Sequence, residues 1–379
     1  MKNKVRYGVL IGLLIISGIF YSVSHDGNST LSKLKSLGEQ GDVEAQYALG
    51  LMYFYGEGVD LDYQQAKVWY EKAAAQNSAQ AQVKLADMYD NGIGISQNYQ
   101  QAKAWYEKAA AQNDADAQFS LGAMYDDGNG VNQNYQQAKT WYEKAAAQDD
   151  PRAQVNLGVI YANGNGVAQN YHQARVWYEK AAAQNTAEAQ FALGVIYANA
   201  NGVTQNYQQA KDWYEKAAAQ GYANAQFNIG MLYYKGDGVI QNYQQAKAWF
   251  EKAAAQNQGN AQYNLGLIYY YGQGVTQSYQ HAKTWFEKAA AQGNIDAQYN
   301  LGVMYENGNG VVQSYSQAKS WYEKAAAQND AQAQYDLGVM NEHGQGGGKN
   351  YEQAKIWYGL ACNNGRQDGC ERYEHLMQK

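Results

Sequence analysis

A chain of 379 residues would ordinarily form two or three globular domains, and this one has a formal net charge of −6 at pH 7. The negative charge argues against nucleic acid as the main partner, because phosphates are bound chiefly by lysine and arginine. The 39 glycines fall at regular positions and therefore do not indicate disorder.

The N-terminal segment has the pattern of an export signal. Three basic residues precede an apolar run over residues 9–20, and the small residues Ser22 and Ser24 suit cleavage after Ser24. The stretch 7–23 is also long enough for a short membrane span. Residues 1–24 are thus either a cleaved signal peptide or a retained anchor. In a bacterial cell, both place the following residues outside the cytoplasm, either in the periplasm, on the periplasmic side of the inner membrane, or in the medium.

A period of 36 residues organises the rest of the chain. A fixed period of this size indicates a stacked repeat protein. We predict nine repeats over residues 43–365, with a linker and capping helix over 25–42 before them and a capping helix over 366–379 after them. The period is set by the tryptophans, each 36 residues from the next: Trp69, Trp105, Trp141, Trp177, Trp213, Trp249, Trp285, Trp321 and Trp357.

Each repeat contains two helical patterns, helix A and helix B, joined by a glycine-rich loop. Helix B is preceded by a residue that favours the N-cap, and a glutamine three residues later resembles a capping box in eight repeats. Asn or Gly follows helix B in most repeats and tolerates the left-handed conformation that ends helices. Pro151, the only proline, suits the first turn of a helix A behind Asp150.

The apolar positions predict the core. In helix A of the first repeat, Ala45, Leu49 and Tyr53 share one face, and in helix B the tryptophan is predicted to belong to the core face. Gly50 and its equivalents lie in mid-helix, which indicates a close helix crossing where a Cβ does not fit. Ala86 is the one replacement.

The loop between the helices has its own pattern, Gly-x-Gly-Val. The glycines are expected to supply positive φ angles, and the valine to pack back into the core. Ala200 replaces the first glycine in the fifth repeat, so we expect local strain or an altered turn there.

The unit AQYxLGxMYxxGxGVxQNYxxAxxWYxxAAxQN resembles the Sel-one-like repeat, a relative of the tetratricopeptide repeat. The resemblance implies an all-α solenoid in which αα-hairpins stack into a right-handed superhelix. It also implies a scaffold, adaptor or receptor role without catalysis or cofactor. We expect a monomer that binds a protein or peptide.

Two cysteines, Cys362 and Cys370, have the eight-residue spacing of a cysteine-rich branch of that family. The resemblance implies a disulfide between them, which would join the last helix B to the capping helix. Two free thiols or a redox pair are the alternatives.

No catalytic or metal-binding pattern emerges. The five histidines are scattered, and the repeated Gly-x-Gly has no Lys-Ser/Thr after it, so it indicates a turn and not a phosphate loop. Ser32 and Lys35 match the S-x-x-K of penicillin-recognising enzymes, but the S-D-N and K-T-G partners of that motif are missing.

Variation between repeats is concentrated on helix A. Positions 44, 48, 51 and 55 of the first repeat, with their equivalents, form one stripe on the helix, which we call the helix A stripe. If helix A lines the inner wall, as the resemblance implies, the stripe is a groove. Its asparagines could bond a peptide backbone, or the stripe is a polar face left by duplication. The asparagines are Asn156, Asn228, Asn264 and Asn300 at one level, and Asn91, Asn163, Asn199 and Asn307 at another.

Two local patches stand out. Tyr234, Tyr270 and Tyr271 are predicted to be exposed aromatics in neighbouring repeats, and aromatics are favoured at binding hot spots. Four aspartates make the second and third repeats acidic, which would suit a basic partner. Each patch is otherwise ordinary surface variation. The aspartates are Asp87, Asp90, Asp126 and Asp127.

The sequence therefore predicts a scaffold of the bacterial cell envelope that works by binding a protein partner along the helix A stripe. A secreted factor that binds host proteins is an alternative. A β-lactam-binding or β-lactam-hydrolysing protein, like the cysteine-rich relatives, is another. No nucleic acid is expected, and membrane contact is expected only through the N-terminal segment.

Overall fold

The computed structural model describes residues 15–16, 19–20 and 27–378. This part of the chain is all-α apart from two short antiparallel strands, β1 Ile15–Ile16 and β2 Ile19–Phe20. The predicted signal or anchor, residues 1–24, otherwise lies outside the described residues. Among the helices that are described, none has the length and apolar character needed to cross a bilayer.

The described helices form αα-hairpins, as the sequence predicts, in two compact units. The first unit ends at Gln184. It contains α1 Gly27–Glu39, α2 Val43–Tyr55, α3 Tyr63–Ala75, α4 Ala79–Asn91, α5 Tyr99–Ala111, α6 Ala115–Asp127, α7 Tyr135–Ala146, α8 Pro151–Asn163 and α9 Tyr171–Ala183.

The second unit begins at Asn185. Even-numbered helices from α2 to α18 are A helices, and odd-numbered helices from α3 to α19 are B helices. The second unit contains α10 Ala187–Ala198, α11 Tyr207–Ala219, α12 Ala223–Lys235, α13 Tyr243–Ala255, α14 Gly259–Tyr271, α15 Tyr279–Ala291, α16 Ile295–Asn307, α17 Tyr315–Ala326, α18 Ala331–His343, α19 Tyr351–Asn363 and α20 Gln367–Met377.

The predicted starts of the B helices are confirmed. In each of the nine, the side chain of the predicted N-cap residue accepts a backbone N–H of the first turn, as Asp62 does from Gln64 and Gln65. The capping box does not form, however. The backbone N–H of Asp62 donates instead to the carbonyl of Tyr53 at the end of helix A (2.9 Å). The same bond recurs in the other repeats, so helix A itself satisfies the start of helix B.

The left-handed ends are confirmed as well. Asn77 has φ +69°, and the equivalent Asn, Asp or Gly in every later repeat also has a positive φ. Gly56 and Gly58 have φ near +70° in the loop. Ala200 takes a φ of +58°, and its helix A, α10, ends one residue early at Ala198. The strain expected there is therefore present, because a Cβ is disfavoured in this conformation.

The mid-helix glycines lie where helix A crosses the aromatic ring of helix B. A Cβ on Gly50 would lie 2.3 Å from Cε1 of Tyr70, which confirms the close crossing. Ala86 shows that a methyl group is accommodated in the second repeat, where it is fully buried beside Tyr106. The glycine is thus preferred at the crossing but is not the sole possibility.

The tryptophans pack between successive repeats. Trp141 of α7 contacts the cluster formed by α4, α5 and α6, and Trp321 of α17 contacts the cluster formed by α15 and α16. Only Trp69 is buried and the other eight are half-buried, so the tryptophans lie on the core face as predicted, but most of their rings are not fully enclosed. A lysine three residues later covers the exposed ring face in the first eight repeats, with its Nζ 3.7–4.2 Å from the ring centroid.

A pair of glutamines was missed by the sequence analysis. Gln46 of helix A is buried, and its Oε1 accepts from Nε2 of Gln76 at the end of helix B (2.8 Å). The equivalent pair recurs in every repeat, with Asn364 replacing the second glutamine in the ninth. These pairs satisfy polar groups that would otherwise be buried without a partner.

Candidate binding surface on the A helices

The helix A stripe is less open than the sequence suggests. Among the asparagines equivalent to position 48, Asn264 is buried and Asn156, Asn228 and Asn300 are half-buried. The Nδ2 of Asn264 and that of Asn300 each donate to the carbonyl one turn earlier (2.8 Å). Part of their bonding capacity is therefore used within the helix. The asparagines equivalent to position 55 are exposed, and these are Asn91, Asn163, Asn199 and Asn307.

The tyrosine patch is only partly exposed. Tyr234 lies edge-on to Tyr243 at 5.4 Å between ring centroids, and Tyr270 lies edge-on to Tyr279 at 5.1 Å. Burial raises the pKa of both Tyr234 and Tyr270. The expectation that all three tyrosines are exposed is thus wrong for these two, because each packs on the B helix of its own repeat.

Tyr271 is the exposed member of the patch. Its side chain is 61% exposed and lies edge-on to Tyr270 at 5.0 Å. The hydroxyl of Tyr270 in turn accepts from Nδ2 of Asn309 in the next loop (2.9 Å). The supporting ring is therefore held by neighbours on both sides. This arrangement presents Tyr271 from a fixed base.

The acidic patch has a structural role that the sequence did not suggest. The buried ring of helix B often carries a hydroxyl, and a carboxylate of helix A accepts from it. Tyr106 donates to Asp87 (2.8 Å) and Tyr142 donates to Asp126 (3.2 Å). Burial raises the pKa of Asp87 and of Asp126. These two carboxylates are thus committed to the core, whereas Asp127 is exposed and available to a partner.

The same pairing explains the tyrosines of the sixth and seventh repeats. Tyr322 donates to Glu306 (2.6 Å) and Tyr358 donates to Glu342 (2.8 Å). Where the buried ring is a phenylalanine, as at 250 and 286, the helix A residue is Tyr234 or Tyr270 instead. A ring without a hydroxyl needs no acceptor, so a second ring is tolerated at the carboxylate position. In the first repeat, however, Phe54 packs on Tyr70, whose buried hydroxyl has no hydrogen-bond partner among the described residues, so the correlation holds in only part of the array.

A row of aromatic rings next to the stripe was also missed. These residues follow the buried Gln46 and its equivalents, and each stacks at a tilt on the buried ring of helix B, with centroids 5.4–6.0 Å apart. They are half-buried, so each unit presents ring edges beside the stripe. The row consists of Tyr47, Phe119, Phe191, Phe227, Tyr263, Tyr299 and Tyr335.

The cysteines are brought together at the C-terminal end. The structure joins Cys362 of α19 to Cys370 of α20 by a disulfide, with Cα atoms 4.6 Å apart. Cys370 stands where the other repeats have the buried glutamine of helix A, and Cys362 stands at an alanine position of helix B. The bridge thus replaces contacts that the glutamine makes in the repeats before it, such as Gln334 Nε2 to the carbonyl of Ala326 (3.1 Å).

The other candidate groups remain apart. Within residues 27–378, no three His, Cys, Asp or Glu side chains are grouped as metal ligands. On α1, Ser32 is exposed, and Nζ of Lys35 lies 5.7 Å from the ring centroid of Tyr53. The lysine is therefore directed to an aromatic ring of the first repeat.

The repeat unit matches a known protein family. The Sel1 repeat pattern matches nine consecutive segments: 43–78, 79–114, 115–150, 151–186, 187–222, 223–258, 259–294, 295–330 and 331–365. The chain belongs to the Sel1 repeat family. Sel1 repeats are protein-interaction modules, and the family is generally non-catalytic.

Two solved structures are similar over most of the chain. One is a protective antigen present in uropathogenic Escherichia coli strains that displays an SLR fold. It is 34% identical with a TM-score of 0.53, over 93% of this chain and 84% of that one. The other is a Sel1 repeat protein from Oxalobacter formigenes, 31% identical with a TM-score of 0.65, over 82% of this chain and 90% of that one. No curated protein sequence matches.

Proposed function

We propose that this Sel1 repeat protein is a non-catalytic interaction scaffold of the bacterial cell envelope, which binds a protein or peptide partner along the helix A stripe. The observation that carries the proposal is where the repeats differ. Helix B is nearly constant, whereas helix A changes along the stripe, whose residues range from the buried Asn264 to the exposed Tyr271. Packing requires constant residues, so positions that vary on one surface are free to serve recognition.

Two features of the second unit support this surface. Tyr271 is exposed on a fixed base of packed rings. The half-buried ring Tyr263 lies one turn after the exposed Asn260, so an aromatic ring and a polar group are neighbours on helix A. Tyrosine offers a large contact area with little side-chain entropy to lose on binding, which favours it at hot spots. The anchor of the partner is therefore proposed to be Tyr271, with Tyr234 and Tyr270 as its support.

The location in the envelope rests on the N-terminal pattern, basic residues followed by an apolar run. The secreted, host-binding alternative draws on a relative. The similar protein of uropathogenic strains is described as a protective antigen. Fractionation of cells into cytoplasm, periplasm, membranes and medium separates the two. Recovery in the medium would favour the secreted factor, and recovery in the cytoplasm would contradict both.

Affinity capture from a bacterial envelope extract tests the proposed surface. The full chain is compared with Tyr271→Ala and with a control, Gln245→Ala, on the exposed start of α13. We expect the full chain and the control to capture the same partner. Tyr271→Ala should weaken the binding of that partner by roughly 2 kcal/mol. Changes at Tyr234 and Tyr270 are avoided, because their rings also stabilise the fold. A partner lost with the control and kept with Tyr271→Ala would show that the B helices bind it.

A further inference from the structure

Two rings of the aromatic row beside the helix A stripe carry an arginine of the chain itself. The guanidinium of Arg152 lies over the ring of Phe119, with its Cζ 4.3 Å from the ring centroid. It also pairs with Asp116 and Asp150, each at 2.5 Å. A guanidinium favours such surroundings, because it is planar, stacks on rings and bonds carboxylates through several N–H groups. One ring and two carboxylates thus hold an arginine near the start of helix A.

A second example lies in the last repeat. The Cζ of Arg366 is 4.4 Å from the ring centroid of Tyr335, and its Nη2 is 3.1 Å from Asp368. Its Nη1 donates to Gln332, which stands at the repeat position of Asp116. Each unit therefore holds an arginine at one ring of the row.

The eighth repeat keeps the ring and both carboxylate positions of the first example. Tyr299 stands at the ring position, and Asp296 and Asp330 stand at the two carboxylate positions. Asp296 and Tyr299 are one turn apart on α16, so their side chains are neighbours. Gln332 replaces the arginine. The binding groups are therefore present without the side chain that they hold in the fourth repeat.

The replacement leaves the two carboxylates without a cation. The side-chain amide of Gln332 donates to Asp336 (3.0 Å) and accepts from Arg366. Within residues 185–378, neither Asp296 nor Asp330 has an ion-pair partner. Their charges are thus available to a cation from outside the chain.

The ring and the carboxylates are close together and open to solvent. Burial raises the pKa of Tyr299, and the nearby carboxylate of Asp330 contributes to this rise. Asp330 caps α18 through Oδ1, which accepts the N–H of Ala333 (2.6 Å). Asp150 caps α8 in the same way and still pairs with its arginine, so capping leaves the carboxylate available. Asp296 is exposed and Tyr299 is half-buried.

We propose that Tyr299, Asp296 and Asp330 form a site for an arginine side chain of the partner protein. The inference rests on the proposed function, because Asp296 belongs to the helix A stripe, at the equivalent of position 44. Arginine is favoured over lysine, since only a guanidinium can stack flat on the ring and also bond both carboxylates. The side chain of Arg152 is 49% exposed in the chain's own example, so an arginine held in this way is accessible from solvent.

A blocked arginine, N-acetyl-arginine methylamide, serves as the probe. Its binding to the full chain is followed by NMR on the rings of isotope-labelled tyrosines, and Tyr299→Phe identifies the signal of Tyr299. We expect a saturable shift of that signal with the arginine compound and none with the matching citrulline compound, which has a similar shape without the charge. Equal shifts with both compounds, or no shift with either, overturn the proposal. Tighter binding of free arginine would also overturn it, because the site would then serve the amino acid.

Two single substitutions locate the site. Asp296→Asn is at an exposed position, and Asp330→Asn keeps a side chain that can cap α18, so the fold should be retained. Each should weaken binding by about three- to fivefold, the effect of one partly exposed ion pair. The control Glu188→Gln removes an exposed acid at the same repeat position, beside Phe191, whose ring packs on Tyr222 at 5.2 Å. The control should bind normally, and an equal loss in the control contradicts the site.

A third substitution, Gln332→Arg, introduces the residue of the fourth repeat and should fill the site from within the chain. The compound should then no longer shift the Tyr299 signal, and an undiminished shift overturns the proposal. Tyr271→Ala should bind the compound as the parent chain does, which separates this site from the proposed anchor. Capture of a partner that requires Tyr271 but neither Asp296 nor Asp330 overturns the arginine site and leaves the proposed function intact. Binding of the compound without any Tyr271-dependent partner supports the arginine site and contradicts the anchor.

Discussion

The pairing of a buried tyrosine with a carboxylate of helix A leads to a quantitative prediction. Tyr322 is fully buried, and its hydroxyl donates to Oε2 of Glu306 at 2.6 Å. Glu306→Ala removes the acceptor and leaves a buried hydroxyl unpaired, which costs about 1–3 kcal/mol. Tyr322→Phe removes both the donor and the need for an acceptor. It should cost less than about 1 kcal/mol, since Phe286 occupies the same position in the seventh repeat.

A double-mutant cycle tests this reasoning. With Phe at 322, adding Glu306→Ala should have little further effect, which gives a coupling of about 1–2 kcal/mol. Stability is followed by urea unfolding, and hydrogen exchange in α17 reports the local effect, because repeats unfold in part independently. Tyr178→Phe is the control, since Ala162 stands at the acceptor position in its repeat. Additive effects in the cycle, or a neutral Glu306→Ala, would refute the pairing.

Three further predictions concern strain, pH and the disulfide. Ala200→Gly should stabilise the fifth repeat by about 1 kcal/mol by removing a Cβ at positive φ, and Gly164→Ala should destabilise by a similar amount, which urea midpoints will show. Burial raises the pKa of Asp336, so its contribution to stability is present in acid and is lost as the pH rises through that raised value. Asp336→Asn should therefore raise the melting temperature near pH 7 and have little effect below about pH 4. An effect of equal size at both pH values would contradict this. Replacing Cys362 and Cys370 by alanine should destabilise α20 by about 2–3 kcal/mol, with loss of hydrogen-exchange protection there and not in the earlier repeats. Protection in α20 equal to that of the parent chain would show that the bridge adds nothing.

The helix ends could be predicted from the sequence because they depend on neighbouring residues alone. The N-cap role of Asp62 needs only its side chain and the backbone N–H groups of Gln64 and Gln65. The left-handed φ of Asn77 likewise follows from its local preference. The strain at Ala200 was foreseen for the same reason, since a fixed turn requires the same backbone angle in every repeat.

Side-chain burial could not be predicted in the same way. The periodicity placed Trp213 on a core face, yet its ring is half-buried, because burial depends on how far the neighbouring repeat reaches over it. Tyr234 and Tyr270 were predicted to be exposed, whereas helix B of the same repeat lies against them. A comparison of the repeats would have helped, because these tyrosines occur in the two repeats whose buried helix B ring is a phenylalanine. Correlations of this kind indicate which residues of two helices are in contact, and the periodicity of one helix does not contain that information.

The most direct test of the central claim is site-specific photo-crosslinking in cells. A photoreactive phenylalanine analogue is placed at position 271 on helix A or, as the matched position on helix B, at 245. Recognition along the helix A stripe predicts a defined protein adduct from position 271 and none from position 245. An adduct from position 245 with none from position 271 would contradict the account and assign binding to the B helices.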